Sequence, residues 1–267
     1  MSSTPRYTHG HAESVLRSHR WRTAQNSCAY LLAHLEPGMR VLDVGAGPGT
    51  ITADLAERVA PGRVTALEET EAALALSRTE LTGRGIEADF VVGDVHALDL
   101  PDDSFDVVHA HQVLQHVADP VQALREMRRV CRPGGLVVAR DSDYHGFVWY
   151  PPSAELDRWM DLYQQAARAN GGEPDAGRRL HAWARAAGFE QVTATASTWC
   201  FADIEDRRWW GGMWADRILT SDLSRQLLGD GLATRRDLEE ISAAWTGWVD
   251  DPDGWISIVH GEIVAIA

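Results

Sequence analysis

Lysine is absent from this chain: all 25 of its basic side chains are arginine. That absence excludes a Schiff-base lysine, a pyridoxal-phosphate enzyme and a P-loop phosphate clamp with its lysine. Cysteine is scarce. Cys28, Cys131 and Cys200 stand far apart with no C-x-x-C pair, so neither a thiolate metal site nor a disulfide framework is expected. Each reads as a small buried apolar residue. No metal is expected. Long hydrophobic runs are also missing: no stretch of about 18 apolar residues occurs, and the leading MSSTPRYTHGHAES has no apolar signal core. The expectation is a cytoplasmic protein without a membrane span. Positive charge is outnumbered, with 39 acidic residues against 25 arginines and a net charge of −14. Nucleic-acid binding needs cations gathered in a patch, so that partner class is disfavoured. The local exception is SVLRSHRWR, where Arg17, His19, Arg20 and Arg22 read as a solvated helix face or as contacts to the protein's own acids.

What is present is concentrated in residues 41–50, VLDVGAGPGT. A β-forming run ends in glycines at alternate positions (Gly45, Gly47, Gly49), and a helix-forming stretch follows at once. Such a turn brings backbone N–H groups and a positive helix end to one point, and lets a ligand approach the backbone closely. It predicts a bound small molecule with an anionic group.

Around this turn the chain alternates. Strands are expected at 40–45, 63–68, 88–93, 104–111 and 135–141, and helices at 49–59, 70–81 and 120–131. Asp119-Pro120 is a cap and first-turn pair for the last of these helices. A further helix is expected over Glu13 to Leu35, stopped by Pro37-Gly38. Alternation of this kind means right-handed βαβ units on a mostly parallel sheet, an α/β fold with its ligand beyond the carboxyl strand ends. After residue 146 the character changes: ten of the eleven tryptophans lie between 149 and 255. Helices are expected at 153–169, 176–187, 203–229 and 234–247, with strands at 190–199 and 255–267. The segments 153–169 and 203–229 fall outside the alternation and read as a helical cap. The expected organisation is an N-terminal helical lid (1–38), a core (39–145), and a remainder (146–267) that completes the sheet and carries the cap.

Strand-end residues are the candidates for chemistry. Glu68, 19 residues after Gly49, can accept from a ribose diol, or is a solvated loop acid. Asp94 with Val95 suits an adenine edge, or is an Asx-turn. Strand 104–111 places His109 and His111 on one face; His109 reads as a core histidine and His111 as pocket lining or a proton acceptor. His116 reads as orienting the turn after it. Asp141, Asp143, Tyr144 and His145 crowd the end of the fifth strand, as substrate contacts or as turn formers. Tyr7, His9 and His11 belong to the lid or to a frayed terminus. The cap tryptophans read mainly as core, with Trp209, Trp210 and Trp214 as candidates for an aromatic pocket.

The ordered set VLDVGAGPGT, Glu68, Gly93-Asp94, FDVVHAHQVLQHVADP (105–120) and RRVCRPGG (128–135) resembles class I S-adenosylmethionine-dependent methyltransferases, most closely the ubiquinone/menaquinone-biosynthesis-like small-molecule group. The resemblance covers residues 39–141 best. It implies a Rossmann-like seven-stranded sheet of order 3-2-1-4-5-7-6 with the last strand antiparallel. It implies S-adenosyl-L-methionine as cofactor, S-adenosyl-L-homocysteine as product, and a small-molecule methyl acceptor. By position, Asp43, Gly45, Gly47 and the rest of the turn to Gly49 would hold the methionine end. Glu68 would hold the ribose, Asp94 and Val95 the adenine, and His111 or Gln112 the methionine arm and transfer face. His111, Tyr144 and Asp143 are the candidate catalytic residues. The acceptor would be an apolar or aromatic metabolite methylated by direct in-line transfer; homo-oligomerisation stays open. Two alternatives are a nicotinamide-dependent oxidoreductase on a similar sheet and an S-adenosylmethionine-binding protein without catalysis. A Tyr-x-x-x-Lys dehydrogenase is closed to a chain without lysine.

Overall fold

The computed structural model describes residues 21–267. Tyr7, His9, His11, Arg17, His19 and Arg20 lie outside the described residues. The part of the expected first helix that is described forms two short turns, α1 (Ala24–Ser27) and α2 (Ala29–Leu32). Thr23 and Asn26 close a capping box at the start of α1, and Cys28 leaves the helical region between the two, at φ −134°. The apolar spacing was helical in period. The local hydrogen bonding of Thr23 and Asn26 resets it.

From there the alternation appears as expected: β1 (Arg40–Val44), α3 (Thr50–Val59), β2 (Arg63–Glu68), α4 (Glu71–Gly83), β3 (Asp89–Val92), β4 (Phe105–His111), α5 (Pro120–Val130) and β5 (Cys131–Ser142). Asp119 caps α5 by accepting from the Gln122 N–H at 2.9 Å, with Pro120 in the first turn. Ala123, Leu124, Met127 and Val130, spaced three and four apart, bury the face of α5 that lies on the sheet.

The second half contains β6 (Val148–Tyr150), α6 (Ala154–Ala169), α7 (Leu180–Ala186), β7 (Val192–Phe201), α8 (Ile204–Thr220), α9 (Asp222–Gly229), α10 (Arg235–Asp250) and β8 (Trp255–Ile266). The helical stretch expected at 203–229 is two helices, because Ser221 is extended (ψ 176°) and its hydroxyl closes the first on Arg217 O.

The sheet runs β3-β2-β1-β4-β5-β8, with β7 on the far edge of β8. Only β8 is antiparallel to its neighbours β5, β6 and β7; the pairs among β1 to β5 are parallel. This is the expected order, with one addition. Among the described residues the sheet has eight strands rather than seven because the short β6 pairs the first residues of β8 on the edge that β5 also uses. A periodicity argument cannot see a three-residue strand. One apolar layer (Leu42, Val108, Val137 and α5) covers one face of the sheet, and another (Val41, Val107, Val138 and α3) covers the other. A third cluster, built on Trp159, Trp214 and Trp245, joins α6, α8, α9 and α10 into a cap.

Candidate functional site

The carboxyl ends of β1 to β4 and the underside of the cap enclose one cleft of about 330 Å3, at the small end of the roughly 300–1,000 Å3 range of small-molecule pockets. The turn after β1 forms one wall. Gly45, Gly47 and Gly49 all have positive φ (+69°, +58° and +86°). A Cβ on Gly45 would stand 2.5 Å from Val113 Cγ2, so the Val113 side chain, just beyond β4, packs against the bare glycine. At Gly47 the nearest atom to a Cβ is the Gly45 carbonyl oxygen at 4.0 Å, so the missing side chain leaves room in the cleft. The N–H groups of the turn are largely occupied by the protein itself. Those of Gly45 and Ala46 donate to Leu67 O, that of Gly49 to Ala46 O, and that of Gly47 to Glu68 Oε1 at 2.5 Å. The glycines therefore supply clearance and shape more than a nest of open donors.

Asp43 lines the cleft but is also held from behind. Its Oδ2 accepts from Thr52 Oγ1 at 2.6 Å, and its Oδ1 lies 2.7 Å from His109 Nδ1. His109 is fully buried, and its Nε2 lies 3.1 Å from Cys28 Sγ. Burial alone would lower the His109 pKa. Cys28 and the Asp43 hydrogen bond outweigh it and lift the value to about 10, so the ring holds a proton at neutral pH. Both ring nitrogens then donate, one to Asp43 and one to the sulfur. His109 is a core histidine with both nitrogens satisfied, and it fixes the orientation of Asp43.

Glu68 and Glu69 line the cleft at the end of β2, and Asp94 and Val95 after β3. Asp94 Oδ1 accepts from the His96 backbone N–H at 2.9 Å and meets His96 Nδ1 at 2.6 Å. These bonds hold its carboxyl below the usual value against partial burial. The Asx-turn geometry and a place on the cleft wall are thus both present.

The other side of the cleft is aromatic and basic. His111 is 7% exposed, and neither ring nitrogen has a hydrogen-bond partner among the described residues. Burial, then the charges of Arg22 and Arg140, push its pKa well below the ordinary value, which leaves a neutral imidazole. Gln112 follows at φ +55°, uncommon for a non-glycine residue. Its side chain is fully engaged: Oε1 accepts from Arg22 Nη2 at 2.6 Å, and Nε2 lies 2.9 Å from Ser142 Oγ and 3.0 Å from His260 Nε2. Tyr144 lines the same wall, stacked between Tyr163 (4.0 Å) and Phe147 (4.6 Å). Burial raises its phenol pKa, so it stays protonated. His116 also reaches the cleft, with its pKa pushed down to about 3 by burial and Arg22.

The cluster after β5 divides. Only Tyr144 reaches the cleft; Asp143 does not line it, because both its oxygens take Arg178, at 2.5 and 2.6 Å. His145 pairs with Asp175 at 2.6 Å. Asp141 is fully buried and accepts the Gln115 N–H at 3.1 Å, and burial lifts its pKa to about 7. Of the tryptophans singled out, Trp210 and Trp214 line the cleft, whereas Trp209 packs against Trp21 in a tilted pair with ring centres 5.0 Å apart. Sequence reasoning missed Trp199 and Arg217 as cleft residues, and for Arg22 it offers a solvated helix face or a contact to the protein's own acids, not a place in the cleft wall. All three come from elements remote in sequence, and no local pattern marks them. Among the described residues no group of side chains could hold a metal ion, and no helix is long and apolar enough to cross a membrane.

Comparison with known proteins adds an independent line. Residues 42–139, β1 through most of β5, match the family described as methyltransferase domain. An uncharacterized methyltransferase of Schizosaccharomyces pombe is 36% identical over 270 residues, covering 97% of this chain and 95% of its own. A ubiquinone/menaquinone biosynthesis C-methyltransferase of Shewanella is 34% identical over 178 residues, 61% of this chain and 70% of its own. Among solved structures, phosphoethanolamine N-methyltransferase 2 of Haemonchus contortus, in complex with phosphomonomethylethanolamine and S-adenosylhomocysteine, superposes with a TM-score of 0.57 at 16% identity. That match covers 91% of this chain and 52% of the other, so this chain spans about half its length, and the likeness is one of fold.

Proposed function

The chain belongs to the methyltransferase family, and from that premise we propose that it binds S-adenosylmethionine in the cleft at the ends of β1 to β4 and methylates a small acceptor seated under the cap. The observation that carries this reading is the arrangement of one cleft: a glycine turn with open space at Gly47, then Glu68, then Asp94 and Val95, at the ends of three adjacent strands. That donor set suits the ligand. Glu68 can accept from a ribose diol, Asp94 from an exocyclic amine, and Asp43 is oriented by Thr52 and His109 to face an ammonium group. Gly45, Gly47 and Gly49 shape the space for the amino-acid end. Bound there, S-adenosylmethionine would supply an activated methyl group to a nucleophile of the acceptor.

The protein's own task is alignment, exclusion of water and, where the acceptor must ionise, acceptance of a proton. Neutral His111, whose ring nitrogens have no hydrogen-bond partner among the described residues, is our candidate for taking that proton. Gln112, pinned by Arg22, Ser142 and His260, keeps the end of β4 fixed beside it. Tyr144 stays protonated and serves as a donor or as wall rather than as a base. Asp143 acts through Arg178 on the loop and not on substrate. On this reading residues 39–145 would hold the cofactor and 146–267 would complete the sheet and cap the acceptor, while of the described residues before β1 Arg22 lines the cleft.

Calorimetric titration with S-adenosylmethionine and S-adenosylhomocysteine tests the reading. Micromolar binding is expected, weakened about tenfold or more in Glu68→Ala, since a hydrogen bond to a charged group contributes roughly 1.5–3 kcal/mol. Unchanged affinity in that variant removes the ribose assignment, and binding of neither ligand removes the function.

A further inference from the structure

One arginine sets the direction of every side-chain hydrogen bond around Gln112. The Arg22 guanidinium can only donate, so the atom that meets its Nη2 at 2.6 Å is the Gln112 amide oxygen. The amide nitrogen then faces Ser142 Oγ at 2.9 Å and His260 Nε2 at 3.0 Å, and it donates one hydrogen to each. His260 agrees with that role. Its ring is fully buried, and burial with the charges of Arg140 and Arg22 keeps it neutral. Its Nδ1 hydrogen goes to Ile258 O at 3.1 Å, which leaves Nε2 to accept. Ser142 is thereby an acceptor towards Gln112, and its own hydroxyl hydrogen has no acceptor among the described residues. Ser142 is 2% exposed and lines the cleft. Arg140, the register partner of His111, lies two residues before it, so His111 and Ser142 share one face of the sheet. The Trp210 indole N–H, which can only donate, is a second buried hydrogen of this wall without a partner among the described residues.

We propose that Ser142 selects the methyl acceptor by donating its hydroxyl hydrogen to a carbonyl oxygen on a flat, apolar molecule seated among Trp199, Trp210 and Trp214. This rests on the methyltransferase reading and narrows it. A carbonyl oxygen accepts and does not donate, which suits a wall whose unmet hydrogens belong to Ser142 and Trp210. An apolar group of the same shape would leave a buried donor unpaired, and that penalty is the basis of the discrimination. A group that only donates would set hydrogen against hydrogen there. Gln112 is the positioning residue: its amide holds the Ser142 oxygen and so turns the hydroxyl hydrogen away from itself.

Acetophenone and α-methylstyrene share one shape and differ in carrying C=O or C=CH2. Both are titrated by tryptophan fluorescence into protein already saturated with S-adenosylhomocysteine. Ser142→Ala is expected to weaken acetophenone about threefold or more, as the loss of a neutral hydrogen bond should, and to change α-methylstyrene less than about twofold. The carbonyl stretching band of bound acetophenone should rise in frequency in that variant, a readout that lost packing alone would not move. Gln112→Glu reverses the order of donation. Its carboxylate takes the Ser142 hydrogen, so acetophenone should lose the same advantage with the hydroxyl still in place. Equal weakening of the two probes in Ser142→Ala, or acetophenone affinity and band both unchanged, overturns the role of Ser142 and leaves the methyltransferase reading standing, provided S-adenosylhomocysteine still binds. Should Ser142→Ala not fold, Gln112→Glu decides by the same two measurements. Wild-type protein that binds S-adenosylhomocysteine but not acetophenone overturns the carbonyl class, and wild-type protein that binds neither overturns both readings.

Discussion

On one side of the cleft, Asp43, Glu68 and Asp94 come from a contiguous stretch in which each strand end delivers one carboxylate. On the other side, Arg22, His111, Ser142, Trp199, Trp210 and Arg217 come from five separate places in the chain: the segment before α1, β4, β5, β7 and α8. The first side is a local product of the βαβ repeat, so it can be reused with any cap. The second is a tertiary product, and its chemistry can change by substituting a few cap residues without disturbing the cradle. On the proposed reading, specificity is thereby separated from cofactor binding.

That separation can be broken by experiment. The largest effect should come from the cap's centre. Trp159 is fully buried between Trp214 (4.6 Å) and Trp245 (5.0 Å), so Trp159→Ala should cost about 3–5 kcal/mol of stability in urea unfolding. S-adenosylmethionine affinity, measured under conditions where the variant is folded, should change less than about threefold; a parallel loss would show that cap and cradle are one energetic unit. Next comes the contact behind Asp43. Asp43→Asn removes the carboxylate facing a protonated, buried His109 and should cost about 2–3 kcal/mol, because the ring can shed its proton rather than remain an uncompensated charge.

The same contact has a pH signature. The folded pKa of His109, about 10, lies above its ordinary 6.5, so folding favours the protonated ring. This contribution is fully present below about pH 6.5 and is lost as the pH rises toward 10. The melting temperature of the wild type should decline across that window relative to His109→Gln. Equal slopes would mean the ring is neutral in the folded protein. The smallest effect is expected at Asp143, whose partner Arg178 is half exposed. Asp143→Asn should cost about 1 kcal/mol and leave kcat within about twofold, whereas His111→Gln should lower it with any acceptor that must lose a proton. A large loss of turnover in Asp143→Asn would return that residue to the reaction.

How much of this was legible in the sequence depended on range. Strands β1 to β5, β7 and β8 and helices α3, α4 and α5 followed from apolar periodicity and caps such as Asp119-Pro120, signals contained within about 30 residues, whereas the sheet order was what the family resemblance implied. The division of RDSDYHGF was not legible, because Asp143 and Tyr144 have adjacent positions and opposite fates. Arg178, 35 residues further on, turns one away, and Tyr163 stacks on the other. The interruption at Cys28 escaped because a local bond set too short to have a period decides it, and β6 because its three residues are a strand only through pairing with the distant β8.

By itself the sequence determined that parallel strands end in a glycine turn followed by two carboxylate positions, because side-chain periodicity and backbone clearance are local properties. Only the tertiary structure decided that Asp43 is held by His109 and Cys28, that Asp143 faces away, and that arginines and tryptophans from distant elements share one wall. Burial and charge in that wall arise from groups far apart along the chain, and their energies exist only once those groups are within a few ångströms of one another.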